Sequence, residues 1–330
     1  MAGELISIVL PVYNERETLE ALWGRLARVL EQTPDDAFEV VFVDDGSDDG
    51  SAAILDDLNR RDPRCKVVHL SRNFGHQAAL QAGLDAAGGH AVVMMDADLQ
   101  DPPELLGPLL AKWREGYEVV YAVRRRRKEG LWKRSAYAFF YRTVKALAEI
   151  DVPLDAGDFC LLDRRVVDAL VSLPEHNRFL RGLRSWVGFR QAGVEYEREA
   201  RHAGAPKYTL RKLVRLALSG YVGFSAMPLR LASWLGFVAA ATGFGFAVWA
   251  VATRLLGIAS PRGWASTLAV VLFVGGVQLV VLGIIGEYLG RVYDEVRHRP
   301  LYVVRSRLGI EADEARADRA AHSGRRLAGS

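Results

Sequence analysis

From Leu5 onward, short runs of apolar, often β-branched residues alternate with amphipathic stretches. Leu5–Val12, Phe38–Val43, Lys66–Leu70, Ala91–Met95 and Glu118–Val123 read as strands bounded by turn residues. Between them the polar and apolar positions fall into helical period. Asn14 offers an N-cap with Glu17 at the capping-box position, and the helix it opens runs to about Glu31. Further helices are predicted over Ser51–Arg60, Gln77–Ala87 and Glu104–Trp113. Strands alternating with helices predict an α/β domain with a mostly parallel sheet. Ligands of such a sheet gather at the carboxyl ends of its strands.

The pattern changes after residue 228. Leu231–Thr253 and Gly263–Gly286 contain no charged residue, and each is long enough to cross a hydrocarbon layer of ~30 Å as a helix. Lys207, Arg211, Lys212, Arg215 and Arg230 precede the first run, and Arg291, Arg297, Arg299, Arg305 and Arg307 follow the second. This bias places both ends of a two-helix hairpin on the cytoplasmic side. Met1–Tyr13 has no basic leader and runs into Pro-Val-Tyr-Asn-Glu, so no secretory signal is expected and the large domain stays cytoplasmic. Leu131–Ile150 and Tyr208–Met227 mix aromatic with basic residues, as helices at a membrane interface do. Ordinary surface helices are the alternative. The expected organisation is a domain over 1–228 with interface helices near 131–150 and 208–227. A membrane hairpin over 229–290 and a cytoplasmic segment over 291–330 follow.

Net charge is only +3, which gives no reason to expect nucleic acid as a partner. The two cysteines, Cys65 and Cys160, are far apart without metal-type spacing, as suits a reducing compartment. The chemistry lies at the predicted strand ends. Asp96 and Asp98, one residue apart, repel each other unless a cation sits between them. With Gln100 they form an oxygen-only set suited to Mg²⁺ or Mn²⁺. A pair of loop aspartates capping the next helix is the alternative. Pro11, Tyr13 and Glu15 close the first strand, where Tyr13 could stack on a base and Glu15 accept from a ribose. Asp44-Asp45-Gly46-Ser47 closes the second. It is no calcium loop, because the twelfth position from Asp44 is Leu55 rather than Glu. Ser71–His76 closes the third, and His76 alone reads as a residue that starts a helix. Arg124 to Lys128 form a basic run, read as attraction to anionic headgroups, with Arg124 and Arg126 candidates for a lipid phosphate. A solvated charge run is the alternative.

Taken together, Ser7–Glu15, Val41–Ser47, Leu70–Ala79 and Asp96–Glu104 resemble the inverting glycosyltransferases of the GT-A fold, in particular the branch acting on polyprenyl phosphates. The likeness extends to Asp155–Phe159, Phe179–Gly182 and Arg201–Tyr208 and through both apolar runs, covering roughly residues 4 to 305. It implies a Rossmann-like GT-A domain followed by interface helices and two C-terminal transmembrane helices. It places Pro11, Tyr13 and Glu15 in the nucleotide pocket with Asp44 or Asp45 reading the base. Asp96 and Asp98 become the Asp-x-Asp motif, with Asp98 and Gln100 holding Mg²⁺ or Mn²⁺ against the donor diphosphate. Asp158 takes the position of the catalytic carboxylate, and Arg201 and Lys207 belong to a loop that closes on phosphate. That loop departs from the family pattern, with Gly204-Ala205-Pro206-Lys207-Tyr208 where Gly-x-Ser-Lys-Tyr is common.

The implied reaction moves one sugar from a nucleoside diphosphate donor, UDP-glucose or a similar hexose donor, to undecaprenyl-type phosphate with inversion. Membrane lipids are further partners, and self-association is left open. Two rival readings are a processive polysaccharide synthase and a degenerate transferase acting as a membrane scaffold. The first calls for more spans and a Gln-x-x-Arg-Trp motif, which Arg184-Ser185-Trp186 does not supply. The second calls for missing metal carboxylates, and both are present.

Overall fold

A computed structural model of the chain describes residues 3–124, 156–175, 178–196, 227–256 and 263–310. The expected interface helices near 131–150 and 208–227, but for Met227 of the second, lie outside the described residues, together with Arg126, Arg201, Lys207 and the tail from 311.

The first half alternates as its pattern predicts: β1 (Leu5–Val12), α1 (Leu19–Glu31), β2 (Ala37–Asp44), α2 (Ser51–Arg61), β3 (Cys65–Leu70), α3 (His76–Ala86), β4 (Ala91–Met94), α4 (Leu106–Arg114) and β5 (Val119–Arg124). Then come β6 (Ala156–Asp163), α5 (Arg164–Ser172), α6 (Leu180–Trp186) and β7 (Gln191–Tyr196). Two long helices, α7 (Met227–Leu255) and α8 (Trp264–Val296), and a further strand, β8 (Val304–Leu308), complete the elements of the described residues.

All eight strands join one sheet in the order β7-β5-β6-β4-β1-β2-β3-β8. Pairing is parallel except where β6 meets β4 and β5 and where β8 meets β3. Successive side chains of a strand point to opposite faces, so each central strand feeds two cores. Ile6, Ile8, Leu10 and Val12 of β1, with Phe38, Val40 and Phe42 of β2, pack under α1, α2 and α4. Val9, Val41 and Val43 pack against α3, α5 and α6. Full burial of such a side chain is worth about 1.5–3 kcal/mol, so the sheet is secured from both sides. Both cysteines are buried within strands, free of any disulfide.

Helix α3 lies unusually close to β1. A Cβ added at Gly83 would sit 2.2 Å from Val9 Cγ1 and 3.3 Å from Val43 Cγ2. A branched valine cannot swing aside as a long side chain can, so Gly83→Ala must push α3 off the sheet. The cost is about 1–3 kcal/mol. The expected result is an unfolding temperature lower by roughly 3–10 °C for the purified protein in detergent. An unchanged temperature would show that the helix has slack there.

Several expectations are corrected. Asn14 does not cap α1. It adopts φ +56° and exchanges two hydrogen bonds with Asp48, and the helix begins after Thr18, whose side chain makes no capping bond. Hydrogen bonds to the neighbouring turn outcompete the cap. Strand β4 ends at Met94, one residue before the expected Met95, so Asp96 and Asp98 lie in the loop beyond it, outside any strand. Leu99 in that loop is buried with φ +60°, a conformation that costs a leucine energy and persists because its surroundings hold it.

Helices α7 and α8 pack on each other. Among the described residues one stretch, Phe273–Val296 of α8, is long and apolar enough to cross a membrane by length and composition. In α7 the corresponding stretch, Ala232–Gly245, is shorter. Phe237, Phe244, Trp249, Phe273, Leu279 and Leu282 expose their side chains. An apolar surface of this kind on a helical hairpin marks an interaction face.

Candidate active site

The loops at the carboxyl ends of β1 to β4 are tied into one cluster. Asn14 N donates to Ser47 Oγ (3.1 Å) and Glu15 N to Ser51 Oγ (3.0 Å), joining the first loop to the second. The Thr18 hydroxyl lies 2.9 Å from the Glu15 carbonyl and 3.2 Å from that of Ala97, joining the first to the fourth. Asp45 accepts from Phe74 N (2.7 Å) and Gly75 N (2.9 Å), joining the second to the third. At Gly46 (φ +70°) an added Cβ would lie 2.5 Å from the Arg72 carbonyl carbon, so only glycine permits that approach.

Asp44 and Asp45 are both buried and both engaged by the chain itself. Asp44 accepts from Ser47 N (2.9 Å) and from His69 Nδ1 (2.9 Å), while His69 Nε2 meets Asp56 Oδ1 (2.8 Å). Only an imidazolium donates from both nitrogens. Burial alone would raise the Asp44 carboxyl, but the bonds from His69 and Ser47 outweigh it and hold the group low. Asp45 shifts the other way, raised by burial and by the charge of Asp44 despite its two backbone donors. Beside them Pro11 is buried, Tyr13 is 43% exposed and Glu15 is half-buried, so the ring of Tyr13 stands open to a ligand.

The acidic centre lies next to this floor. Asp96 is pushed up to about 6 by burial, helped by the charges of Asp101, Asp158 and Asp98 and opposed by His76. Asp98 Oδ1 accepts from Gln100 N (3.1 Å), and Asp101, fully buried, accepts from Tyr196 Oη (2.8 Å). Asp98 and Asp101 thus add negative charge close to Asp96. Among the described residues no three His, Cys, Asp or Glu side chains converge as a closed metal site.

Asp158, at the start of β6, forms a two-pronged ion pair with Arg181 of α6 (2.7 and 2.9 Å). His76 Nε2, from the first residue of α3, stands 3.4 Å from Asp158 and 3.7 Å from Asp96. Burial would raise the Asp158 carboxyl, but His76 and Arg181 outweigh it and hold it far below the usual range. Burial would likewise lower His76, and the two carboxylates reverse that, so the imidazole keeps its proton longer than a free histidine. Asp96, Asp158 and the two cations thus form one charge-balanced group.

The structure brings together Asp96, Asp98, Gln100 and Asp158, and beside them Pro11, Tyr13, Glu15, Asp44 and Asp45. Arg124, the last residue of β5, sits on the far side of β6 from β4. The sequence reads His76 as a residue that starts a helix, which it does as the first residue of α3, but not as a partner of Asp158, and it gives Arg181 no role. The signal for His76 was its place directly after a strand-end loop. For Arg181 it was the Phe-Leu-Arg-Gly segment, whose partner is set only by the fold.

This mixed α/β sheet, with its polar loops gathered at the carboxyl ends of β1 to β4, is a glycosyltransferase domain of the GT-A class. The chain belongs to Glycosyl transferase family 2, which residues 7–171 match, and residues 227–292 match the GtrB C-terminal hairpin. An uncharacterized glycosyltransferase of Bacillus subtilis (strain 168) is 48% identical over 306 residues, 92% of this chain and 94% of its own. The bactoprenol glucosyl transferase of Shigella phage SfV is 39% identical over 302 residues, 91% of this chain and 98% of its own. A mannosyltransferase from Pyrobaculum calidifontis, solved with GDP-Man and Mn²⁺, superposes with a TM-score of 0.45 at 19% identity, covering 85% of this chain and 87% of that one.

Proposed function

We propose that the protein transfers a single sugar, glucose from UDP-glucose or a similar hexose, to an undecaprenyl-type phosphate with inversion. A lipid-linked monosaccharide results. The observation that carries this reading is the union, in one chain, of the family-2 domain with the GtrB hairpin. Relatives named bactoprenol glucosyl transferases match both over nearly their whole length.

In this reading Pro11, Tyr13, Glu15, Asp44 and Asp45 line the nucleotide pocket, with the exposed ring of Tyr13 against the base. Asp96, Asp98 and Gln100 face the donor diphosphate and would hold Mg²⁺ or Mn²⁺. Bound there, the ion supplies a positive charge that stabilises the departing diphosphate. The acceptor phosphate monoester, with a second pKa of about 6, is already largely dianionic at neutral pH and needs little deprotonation. Asp158, held ionised by Arg181 and His76, therefore orients the site and faces the positive charge that develops at the anomeric carbon. Arg124, Arg126, Arg201 and Lys207 are the candidates for gripping phosphate, since arginine binds it through two parallel bonds. The hairpin α7–α8 crosses the cytoplasmic membrane twice, with the catalytic domain and both termini in the cytoplasm.

The test is transfer of radiolabel from UDP-glucose, with other sugar nucleotides as competitors, in sealed vesicles holding the protein and undecaprenyl phosphate. Inside-out vesicles should form a lipid-extractable, single-sugar product. Right-side-out vesicles should not until they are permeabilised. A polymeric product, or equal activity in both orientations, would overturn the reading.

A further inference from the structure

The segment that follows α8 does not trail away from the molecule but returns to the catalytic sheet. Helix α8 ends at Val296, and His298 turns the chain with φ +47°. Pro300 then stiffens the turn, and the chain enters β8 at Val304. From Val296 to Val304 the chain reaches at most roughly 30 Å, and less through that turn. The connection is therefore short and stiff.

Its anchor points bear on the active site. Strand β8 pairs antiparallel with β3, from Leu70 opposite Val304 to Val67 opposite Leu308. Tyr302, Val304 and Ile310 pack on the core beneath α3, while Leu308 packs on the opposite core. Val303 O accepts from Ser71 N (2.8 Å), the first residue of the loop that Asp45 clamps at Phe74 and Gly75. That loop delivers His76 to Asp96 and Asp158. The Tyr302 hydroxyl donates to Asp85 near the other end of α3. One short segment thus grips the approach to α3 and its last turn. Nearby, Arg178 binds Gln81 of α3 (2.6 Å) and feels the charge of Glu295 in the last turn of α8.

Helix α8 has 33 residues and is about 50 Å long, well over the ~30 Å of a hydrocarbon layer. With the uncharged run Gly263–Gly286 taken as the part inside the layer, its final turns, carrying Glu287, Arg291, Asp294 and Glu295, extend beyond it. Whatever fixes the catalytic domain to that end also fixes the cleft relative to the membrane.

We propose that Arg297–Leu308 is a rigid strap that locks the catalytic cleft to the end of α8, keeping it in reach of a phosphate held at the membrane surface, with Tyr302 as a positioning residue. The inference rests on the reading of the acceptor as a polyprenyl phosphate. It goes beyond that reading by assigning a role to residues that touch neither substrate.

Two variants test it. One inserts Gly-Ser-Gly-Ser between Arg299 and Pro300, and the other is Tyr302→Phe. Each is assayed with UDP-glucose on undecaprenyl phosphate in phosphatidylethanolamine–phosphatidylglycerol vesicles, and on geranyl phosphate in detergent. A membrane-held acceptor depends on the alignment of cleft and bilayer, whereas a small soluble one does not. The insertion should lower vesicle turnover about tenfold or more and change the detergent reaction less than about twofold, since misplacement is costly only where position is imposed. Tyr302→Phe should move the ratio the same way by a smaller factor. Equal losses on both acceptors would mean that the segment only supports the fold. No loss on either would mean that it does not set the reach. Both results overturn the proposal while leaving the acceptor reading intact. A wild-type protein inactive on undecaprenyl phosphate in vesicles would overturn the acceptor reading and the inference with it.

Discussion

Asp98→Asn is expected to lower sugar transfer by roughly 10²–10³-fold, the scale seen when one group stabilising transition-state charge is removed. The fold should be unaffected. Asp98 lies in a bend and accepts a hydrogen bond from Gln100 N, which an amide oxygen does equally well. What the amide lacks is the negative charge facing a divalent cation. The loss should fall mainly on kcat, with unfolding temperature and membrane insertion unchanged. EDTA should reproduce the effect in the wild-type protein, and added Mg²⁺ or Mn²⁺ should reverse it. Near-normal turnover in EDTA would sink the metal-dependent mechanism.

The second large effect is expected at Asp158. Its carboxyl is ionised throughout the working range because Arg181 and His76 hold it far below an ordinary carboxylate. A carboxyl held well below its ordinary range contributes no limb to a pH profile near neutrality, and it is a weak base. Asp158→Asn should therefore slow transfer about 100-fold, through lost orientation and charge, while leaving the acid limb in place. That limb should follow the acceptor phosphate, near pH 6. The measurement needs chemistry to be rate-limiting, since slow product release would flatten both profiles. If the wild type shows a carboxylate-like acid limb that the amide variant loses, Asp158 is the general base and the orienting role is wrong.

The first five strands were legible because each is a short apolar run ended by a polar turn, and the helices between them keep one apolar face. What the pattern could not reveal was pairing that depends on distant chain. Ala156–Asp163 opens with Asp158 and its neighbours, so it reads as a site motif, yet it is the antiparallel strand between β4 and β5. Val304–Leu308 carries Arg305 and Arg307 and reads as the basic flank of a membrane helix, but as an edge strand it needs apolar contacts only at its ends. The candidate carboxylates Asp96 and Asp98 were legible because Asp-x-Asp after an apolar run is a local signal. His76 and Arg181 were not, because their meaning lies in facing Asp158, on an element far away in sequence. Asn14 misled for a related reason, since a good capping residue spends its side chain on whichever partner lies nearer, here Asp48.

Strand β8 also bears on how the molecule is made. During synthesis β3 emerges early, yet its outer neighbour is encoded more than two hundred residues later, beyond both long helices. Until that strand arrives, β3 presents the open row of peptide groups that invites pairing with other chains. A contact so distant in sequence is slow to close. The catalytic sheet therefore reaches its final form only after the hairpin has left the ribosome, which couples completion of the sheet to completion of the α7–α8 hairpin within a single chain.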